Sequence, residues 1–468
     1  MGFEHHMISF FNTLSGRIEE FSSIEPGKVR MYTCGPTVYD FAHIGNFRTY
    51  VWEDLLRRYL KFRGFDVFQC MNITDVEDKI IKASIEKKIQ IQEYTAPYID
   101  AFFKDLDALN IERAEVYPRA TQHIKEMLEL ADTLRRKGFT YEAGDSLYYR
   151  ISSFKDYGRL SKLEKRSLKF GARVDSDEYD KENVQDFVLW KGKKEGEPAW
   201  PSPFGEGRPG WHLECSAMSM RYLGETFDIH TGGVDNIFPH HENEIAQSEA
   251  CTGKKFVNYW IHASHLLVDG EKMAKSKGNF YTLRNLFDRG YKGRAIRYLL
   301  ISTHYKKNLN FTFDSLKQAE QELTRLDDFK YRLENEKVID GHNEKLEGKI
   351  HQAREEIIQA MDDDLNISGA IGALFKLVKD INSAYDRGEV TGQERDGVLS
   401  LLRSWDNVLG VIEREKDLLG DEIERMITLR NEARKKKDFK TADQIRNELL
   451  SQGIILEDTP QGVRWKKK

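Results

Sequence analysis

The stretch GKVRMYTCGPTVYDFAHIGNFRTYVWEDLLRRYLKFRGFDVFQCMNITD (residues 27–75) changes its hydrophobic period twice. VRMYT (29–33) is rich in strand formers. RTYVWEDLLRRYLKFRG (48–64) spaces its apolar residues as a helix does and stops at Gly64, and DVFQCMNIT (66–74) returns to a strand. Two strands joined through a helix are a βαβ unit, and such a crossover makes the strands parallel. The expectation is therefore an α/β domain, a parallel sheet with helices on both faces.

Further along, 120–145 is expected to be helical, and 146–210 turns irregular, ending in the turn-rich EGEPAWPSPFGEGRPG (195–210). An insertion splitting the sheet domain explains this better than a continuous α/β wind. The sheet is expected to resume at FDIHTGG (227–233) and YWIHASHLLVDG (259–270). After about residue 315 four helix-period segments follow, material for an antiparallel bundle. Two more helices and a closing hairpin, GIILEDTPQGVRWKKK (453–468), make a tail module. The expected divisions are 1–121 and 198–258 for the two halves of the sheet domain, 122–197 for the insertion, 259–318 for a lysine-loop region, 319–415 for the bundle and 416–468 for the tail.

With 468 residues, 40% hydrophobic and 32% charged, the chain is globular in composition and too long for one core. No apolar run approaches the ~20 residues of a membrane-spanning helix. MGFEHHMISFFN matches neither a secretory signal nor a transit peptide, and Met7 reads as an alternative start. Four cysteines (Cys34, Cys70, Cys215, Cys251) are too few for a disulfide framework, so a cytoplasmic protein with free or metal-ligating thiols is expected. The net charge of −5 hides an asymmetry: Arg425 to Lys468 carries twelve Lys/Arg against six Asp/Glu. A basic end on an acidic body suits a polyanionic partner, as it also suits a plain solvated helix.

Three loops carry candidate chemistry. The strand-to-helix turn Cys34–Asn46 places Gly45, Asn46 and His43 where a helix N-terminus offers unpaired N–H groups to phosphate. LLVDGEKMAKSKGN sets Lys272, Lys275 and Lys277 on a glycine-flanked loop, mobile cations suited to pyrophosphate. PHHENE (239–244) puts His240 and Glu244 at i and i+4, one face of a helix. Each has an ordinary alternative: a structural turn, a solvated basic loop, and a polar helix start after Pro239, which the hexapeptide alone favours.

Together, HIGN (43–46) and KMAKS (272–276) resemble the paired signatures of class I aminoacyl-tRNA synthetases, usually HIGH and KMSKS, with Asn46 and Ala274 as departures. Gly233-Val234-Asp235, followed by His240, is similar to that family's adenosine-binding turn. Cys34, Cys215, His240 and Glu244 resemble, position for position, the zinc site of its cysteine-specific branch. The resemblance implies a Rossmann-like catalytic domain split by an insertion, a helical bundle and a small α/β anticodon-binding domain. It implies ATP-dependent activation of L-cysteine and transfer to tRNA(Cys), with one Zn2+ per chain and Mg2+ accompanying ATP, in a monomer free of membranes. His43, Asn46, Lys272 and Lys275 would serve the reaction; His43, Gly45, Asn46, Gly233, Asp235 and Lys275 would hold ATP. Thr74, Trp211 and His230 would line the amino-acid pocket. Arg434, Asp443 and Asp458 would read anticodon bases, with Phe439 or Trp465 stacking and lysines following phosphate. Cys70 and Cys251 match no ligand position and read as buried thiols.

A metal suits the discrimination such an enzyme needs. Serine and cysteine are near-isosteres, which a pocket alone separates by only about 10²-fold. A borderline-soft cation prefers sulfur. Four protein ligands also fit a closed structural site. Two other functions stay open on sequence alone: a cysteine:amino-sugar ligase sharing the catalytic half, and an inactive RNA-binding paralogue.

Overall fold

The computed structural model describes residues 7–162, 186–412, 418–435, 438–451, 453–459 and 462–467. The chain opens with an antiparallel hairpin of β1 (Ser9–Asn12) and β2 (Arg17–Glu20), then forms β3 (Lys28–Thr33), α1 (Ile44–Phe62) and β4 (Asp66–Met71). β3 and β4 pair in parallel, Tyr32 opposite Cys70. α1 begins at Ile44, four residues ahead of the expected Arg48. The cause is His43, whose ring accepts from Asn46 N while Asn46 returns its side-chain oxygen to His43 N; this capping box satisfies donors the first turn would otherwise leave open. β4 ends at Met71 because Thr74 turns to the β3–α1 loop, its N–H donating to Pro36 O (3.0 Å) and its carbonyl accepting from Val38 N (3.1 Å).

α1 is buried on nearly every side, charged residues included. Burying charge is tolerated only where partners exist. Asp54 meets Arg58 (2.8 Å) and Arg297 (2.6 Å), while Arg48 donates to the carbonyls of Leu300, Thr303 and His304. Three helices follow: α2 (Asp78–Lys87), α3 (Ile91–Ala108) and α4 (Ile124–Arg136). The helix expected over 120–145 stops at Arg136, and a hairpin of β5 (Thr140–Ala143) and β6 (Ser146–Tyr149) begins. β7 (Phe187–Gly192) and β8 (Gly207–Pro209) complete a four-stranded antiparallel sheet, so this smaller layer continues past residue 197 to Pro209. Its Leu147, Tyr149, Phe187 and Trp190 share a core with Met127 and Leu130 of α4 and with Leu213 and Met218 of the next helix, α5 (Trp211–Leu223).

The parallel sheet resumes with β9 (Phe227–Gly233), α6 (Glu242–Thr252) and β10 (Val257–Ala263), giving the order β10-β9-β3-β4 with every pair parallel. β11 (Leu266–Val268), expected to extend it, instead joins β12 (Glu271–Lys272) and β13 (Leu309–Phe311) in a separate three-stranded sheet. Between β12 and β13 lie α7 (Leu283–Phe287) and α8 (Gly293–Ile301). Four helices follow, α9 (Phe313–Asn335), α10 (Glu344–Asp362), α11 (Ile367–Asp386) and α12 (Gly392–Leu409), then α13 (Leu418–Lys435), α14 (Phe439–Ser451) and the hairpin β14 (Ile454–Thr459) and β15 (Gly462–Lys467). Ile427, Leu449, Ile454 and Leu456 form the core of this last module. The chain divides into two compact units, one of residues 1–320, 353–375 and 407–409, the other of 321–352, 376–406 and 410–468. Among the described residues no helix is long and apolar enough to cross a membrane.

Candidate active site

In an open parallel sheet, ligands bind beyond the carboxyl ends of the strands where the winding reverses. Here β3 has β4 on one side and β9 on the other, so the reversal falls between β3 and β9. A cleft of about 570 Å³ opens there. It is walled by the Cys34–Asn46 turn, Asn72 and Thr74, Trp211 and Cys215 of α5, Gly233–Asn236 after β9, His240, and Lys272, Met273 and Phe280 of the lysine loop.

One end of the cleft suits phosphate. His43 Nδ1 accepts from Asn46 N at 3.2 Å, which leaves the ring proton on Nε2 as the outward donor. Burial depresses the His43 pKa to about 4, so the ring donates as a neutral imidazole at pH 7. The Asn46 side-chain oxygen accepts from His43 N (3.1 Å), which leaves the amide nitrogen as the side chain's donor. Gly45 is needed for closeness: a Cβ there would lie 2.6 Å from Met273 Cε and 2.9 Å from the His43 ring. The two signature loops are joined directly, Ile44 N donating to Tyr281 O (2.9 Å) and the His43 ring meeting Phe280 edge-on at 5.1 Å. Lys275 pairs with Asp40 at the cleft mouth, and Asp40 raises its pKa. Lys272 approaches His265 (3.4 Å), and Lys277 turns to Glu271 (2.7 Å). Asn279 ties the loop, accepting from Ala274 N (2.9 Å) and donating to Lys272 O (3.2 Å). A Cβ at Gly233 would strike Asp235 Oδ1 at 2.4 Å, so the missing side chain leaves room for that carboxylate on the cleft wall.

The other end gathers metal-ligating types. Ligand atoms of Cys34, Cys215, His240 and Glu244 lie within 4.8 Å of one another, and so do those of Cys34, His230, His241 and Glu244. The solvated helix start that PHHENE alone favoured does not form, since His240, His241, Glu242, Asn243 and Glu244 are all buried. Glu244 Oε1 has no hydrogen bond although His240 Nε2 lies 3.1 Å away, and Oε2 meets His230 Nε2 at 3.0 Å. Burial pushes the Glu244 carboxyl well up and the His240 and His241 rings well down. The Cys34 thiol is raised first by its hydrogen bond with Cys215 and then by burial. Such a dry group of sulfur, nitrogen and carboxylate donors, one oxygen lacking a partner, fits a divalent cation, whose charge would let thiolate and carboxylate ionise. Cys34, Cys215 and His240 line the cleft; His230 and His241 do not.

Thr74 and Trp211, expected in the pocket, lie on the cleft wall, Thr74 buried and Trp211 42% exposed with its indole stacked on His240 at 4.0 Å. His230, expected beside them, sits behind Glu244, stacked on Trp260 at 4.5 Å. Arg434 and Asp443 are exposed on α13 and α14, and Phe439 is 61% exposed. Asp458 belongs to β14, its side chain outside the described residues, as is that of Trp465 on β15. Sequence reasoning missed Asn72, which accepts from Gly35 N (2.9 Å) and donates to Thr74 Oγ1 (3.0 Å), and it missed His212, 2.8 Å from His240 Nδ1. It missed His241 and His262 as a pair, 2.8 Å apart. Gly232 was the available signal: opposite His262 in the ladder, it leaves the space that the His241 ring takes.

Residues 20–321 match the family described as tRNA synthetases class I (C) catalytic domain, 356–413 the DALR domain, and 416–465 the cysteinyl-tRNA ligase anticodon binding domain. A cysteine–tRNA ligase of Brachyspira hyodysenteriae is 50% identical over 473 residues, covering 98% of this chain and 99% of that one. One of Protochlamydia amoebophila is 49% identical, covering 98% of each. In fold the chain is similar to Mycobacterium tuberculosis methionyl-tRNA synthetase bound by methionyl-adenylate, with TM-score 0.64, 14% identity, and 82% and 92% of the two chains covered. It is also similar to Agrobacterium radiobacter LeuRS in its complex with tRNA and LeuAMS, with TM-score 0.61, 12% identity, and 84% and 85% covered. With half its residues shared across nearly the whole length of such relatives, the chain belongs to the cysteine–tRNA ligase family of class I synthetases.

Proposed function

We propose that the chain activates L-cysteine with ATP, transfers it to the 3′ end of a cysteine tRNA, and selects its amino acid through a zinc ion held by Cys34, Cys215, His240 and Glu244. Membership of the cysteine–tRNA ligase family carries the overall reaction. One observation carries the zinc reading: two thiols and an imidazole face the same cleft as His43, with a buried carboxylate oxygen lacking a hydrogen bond beside them. The rival set shares Cys34 and Glu244 and differs by His230 and His241, neither of which lines the cleft, whereas Cys215 and His240 do. When bound, zinc supplies a borderline-soft Lewis acid that favours a thiolate over the serine hydroxyl.

The chain's own residues do the rest by placement. Trp211 and Thr74 bound the amino-acid end, and Asn72 holds Thr74 and Gly35 in register with Cys34. His43 Nε2–H and the α1 N-terminus donate to the phosphates, and Asp235 beside Gly233 accepts from the ribose hydroxyls. Lys275, released from Asp40, and Lys272 take up the charge of the departing pyrophosphate. Magnesium, expected with ATP, travels with the nucleotide. No side-chain nucleophile is required, because the substrate carboxylate attacks the α-phosphate and the tRNA hydroxyl then attacks the adenylate carbonyl. Arg434, Asp443 and Asp458 belong to the domain proposed to read the anticodon.

The test joins a metal analysis with ATP–pyrophosphate exchange over twenty amino acids and with charging of total tRNA. Near one zinc per chain, exchange with cysteine alone and tRNA charging are the expected results. Cysteine exchange without charging would point to the amino-sugar ligase, and zinc retained in an enzyme that exchanges serine equally well would make the metal a structural element.

A further inference from the structure

A line of hydrogen bonds runs from the N-terminal hairpin to the sulfur of Cys34. Thr13 Oγ1 lies 2.8 Å from His262 Nδ1, His262 Nε2 lies 2.8 Å from His241 Nδ1, and His241 Nε2 lies 3.3 Å from Cys34 Sγ. We propose that Thr13 and His262 hold His241 as a hydrogen-bond donor to the Cys34 thiolate, making the three of them positioning residues that set how strongly the metal draws the substrate sulfur. This rests on the zinc reading above.

The direction of the line follows from its end. A metal-bound thiolate only accepts hydrogen bonds, so His241 Nε2 carries the proton. A neutral imidazole has one donor and one acceptor, which makes His241 Nδ1 the acceptor and His262 Nε2 its donor. His262 Nδ1 must then accept, and the Thr13 hydroxyl is the group that donates. Burial keeps His262 neutral, with a pKa of about 3. With both rings neutral, this assignment satisfies all three contacts with a thiolate at the end.

The surroundings fix each member. Thr13 N donates to Trp260 O (2.8 Å), and Asn12 accepts from Trp260 N (3.1 Å), so the hairpin is tied to the strand that bears His262. The Trp260 ring lies nearly parallel to that of His262, 6° apart in tilt. Gly232 makes room for His241, since a Cβ there would fall 2.8 Å from its Cε1. His241 also faces the His230 ring (4.4 Å) and Glu244 Oε1 (4.0 Å). In metal sites, groups that hydrogen-bond the ligands orient them and tune their donor strength. A donor on Cys34 draws negative charge off that sulfur, so the cation keeps more of its attraction for a further thiolate from the substrate.

Cobalt(II)-loaded full-length enzyme tests this through the thiolate-to-cobalt charge-transfer band, with chelator competition as a second readout. His262→Phe keeps a ring beside Trp260 but loses both nitrogens, whereas His262→Gln returns an N–H near the Nε2 position. The Phe variant should shift the band to lower energy and bind metal about tenfold more weakly, the Gln variant should stay near wild type, and Thr13→Val should fall between. An unshifted band in His262→Phe overturns the proposal, and so do equal losses in the Phe and Gln variants, which would leave His262 as mere filling. If His262→Phe does not fold, Thr13→Val against Thr13→Ser reads the same band, and no shift overturns it. Loss of a metal–nitrogen bond in X-ray absorption of His241→Gln would make His241 itself a ligand, again overturning it. Failure of the wild type to show any thiolate band would instead refute the zinc reading.

Discussion

On the zinc reading proposed above, Gly35→Ala should cost this enzyme metal binding rather than its fold. Gly35 follows Cys34 directly, and its N–H donates to Asn72 Oδ1 at 2.9 Å. A Cβ at this position would lie 1.7 Å from Asn72 O, 2.9 Å from Asn72 C and 3.0 Å from Met71 Cγ. The obstacle is backbone at the end of β4, which has no rotamer to yield. Ordinary C···O contacts are about 3.3 Å or longer, so the two strand ends must part by roughly 1.6 Å. Metal ligands tolerate about 0.2 Å, so Cys34 leaves the range in which it can share a cation with Cys215 and His240. A misplacement of about 1 Å near the chemistry costs on the order of 10²-fold. Cysteine-dependent ATP–pyrophosphate exchange should therefore fall at least about 10²-fold, with zinc content well below one per chain, while ATP affinity, set at the His43 end, changes little. Gly372→Ala, on α11 with nothing within 4 Å of the added carbon, is the control, and should be neutral or stabilising by up to about 1 kcal/mol. A Gly35→Ala enzyme with full zinc content and unchanged cysteine KM would refute the clash and the role given to Cys34.

Cys215→Ser should weaken cysteine activation far more than ATP binding, read from the separate KM values in exchange; equal losses would make the metal structural. Arg434→Ala should lower tRNA charging and leave exchange intact, and an equal fall in exchange would remove α13 from RNA reading. Homocysteine should compete with cysteine for the site yet be activated about 10²-fold more slowly, as exchange and inhibition kinetics would report; equal turnover would show that distance plays no part in selection. His43 and His262, with folded pKa values of about 4 and about 3, take up protons on unfolding, so their stabilisation is complete above pH 6.5 and declines as pH falls. Glu53, raised to about 8 by burial, works the other way, losing its contribution as pH rises through 8. These three groups together contribute a fall of up to about 1.4 kcal/mol per pH unit between pH 6.5 and 4.5. Urea midpoints that stay level over that range would contradict it.

The sequence disclosed what depends on period and on local spacing. The βαβ unit was legible because VRMYT and the 48–64 segment differ in period, and the four long helices because their apolar stripes persist. The start of α1 was not, since HIGN looks like a loop until His43 and Asn46 are seen to cap one another. β11 carries the same apolar run as a sheet strand, and only its pairing with Leu309–Phe311 separates it from β10. The proposed zinc set was reached through a likeness to known motifs, as its members come from three distant segments. The residues behind that set stayed hidden for a physical reason: a buried histidine bonding another histidine has no local signature. His230 shows the limit, a residue assigned to the pocket by position that the packing places behind Glu244.

If zinc selects the amino acid as proposed, softness alone cannot define the choice. A cation that prefers sulfur rejects serine, but it accepts any thiol, and the extra methylene of homocysteine is worth little to a pocket. The second criterion is built into one turn of chain. The loop after β3 begins with the proposed metal ligand, Cys34, and ends with the proposed phosphate donor, His43. Both ends are anchored, Gly35 to Asn72 on the β4 side and Ile44 to Tyr281 beside the lysine loop. On the proposed reading the interval between the cation and the α-phosphate would therefore be a property of the backbone, and the substrate would have to span it with its sulfur at one end and its carboxylate at the other. Cysteine has one methylene between its thiol and its α-carbon, and a longer thiol bound at the same cation carries its carboxylate past the point of attack. On this proposal the chemistry of the side chain would exclude serine and length would exclude the longer thiols, each filter supplying what the other lacks.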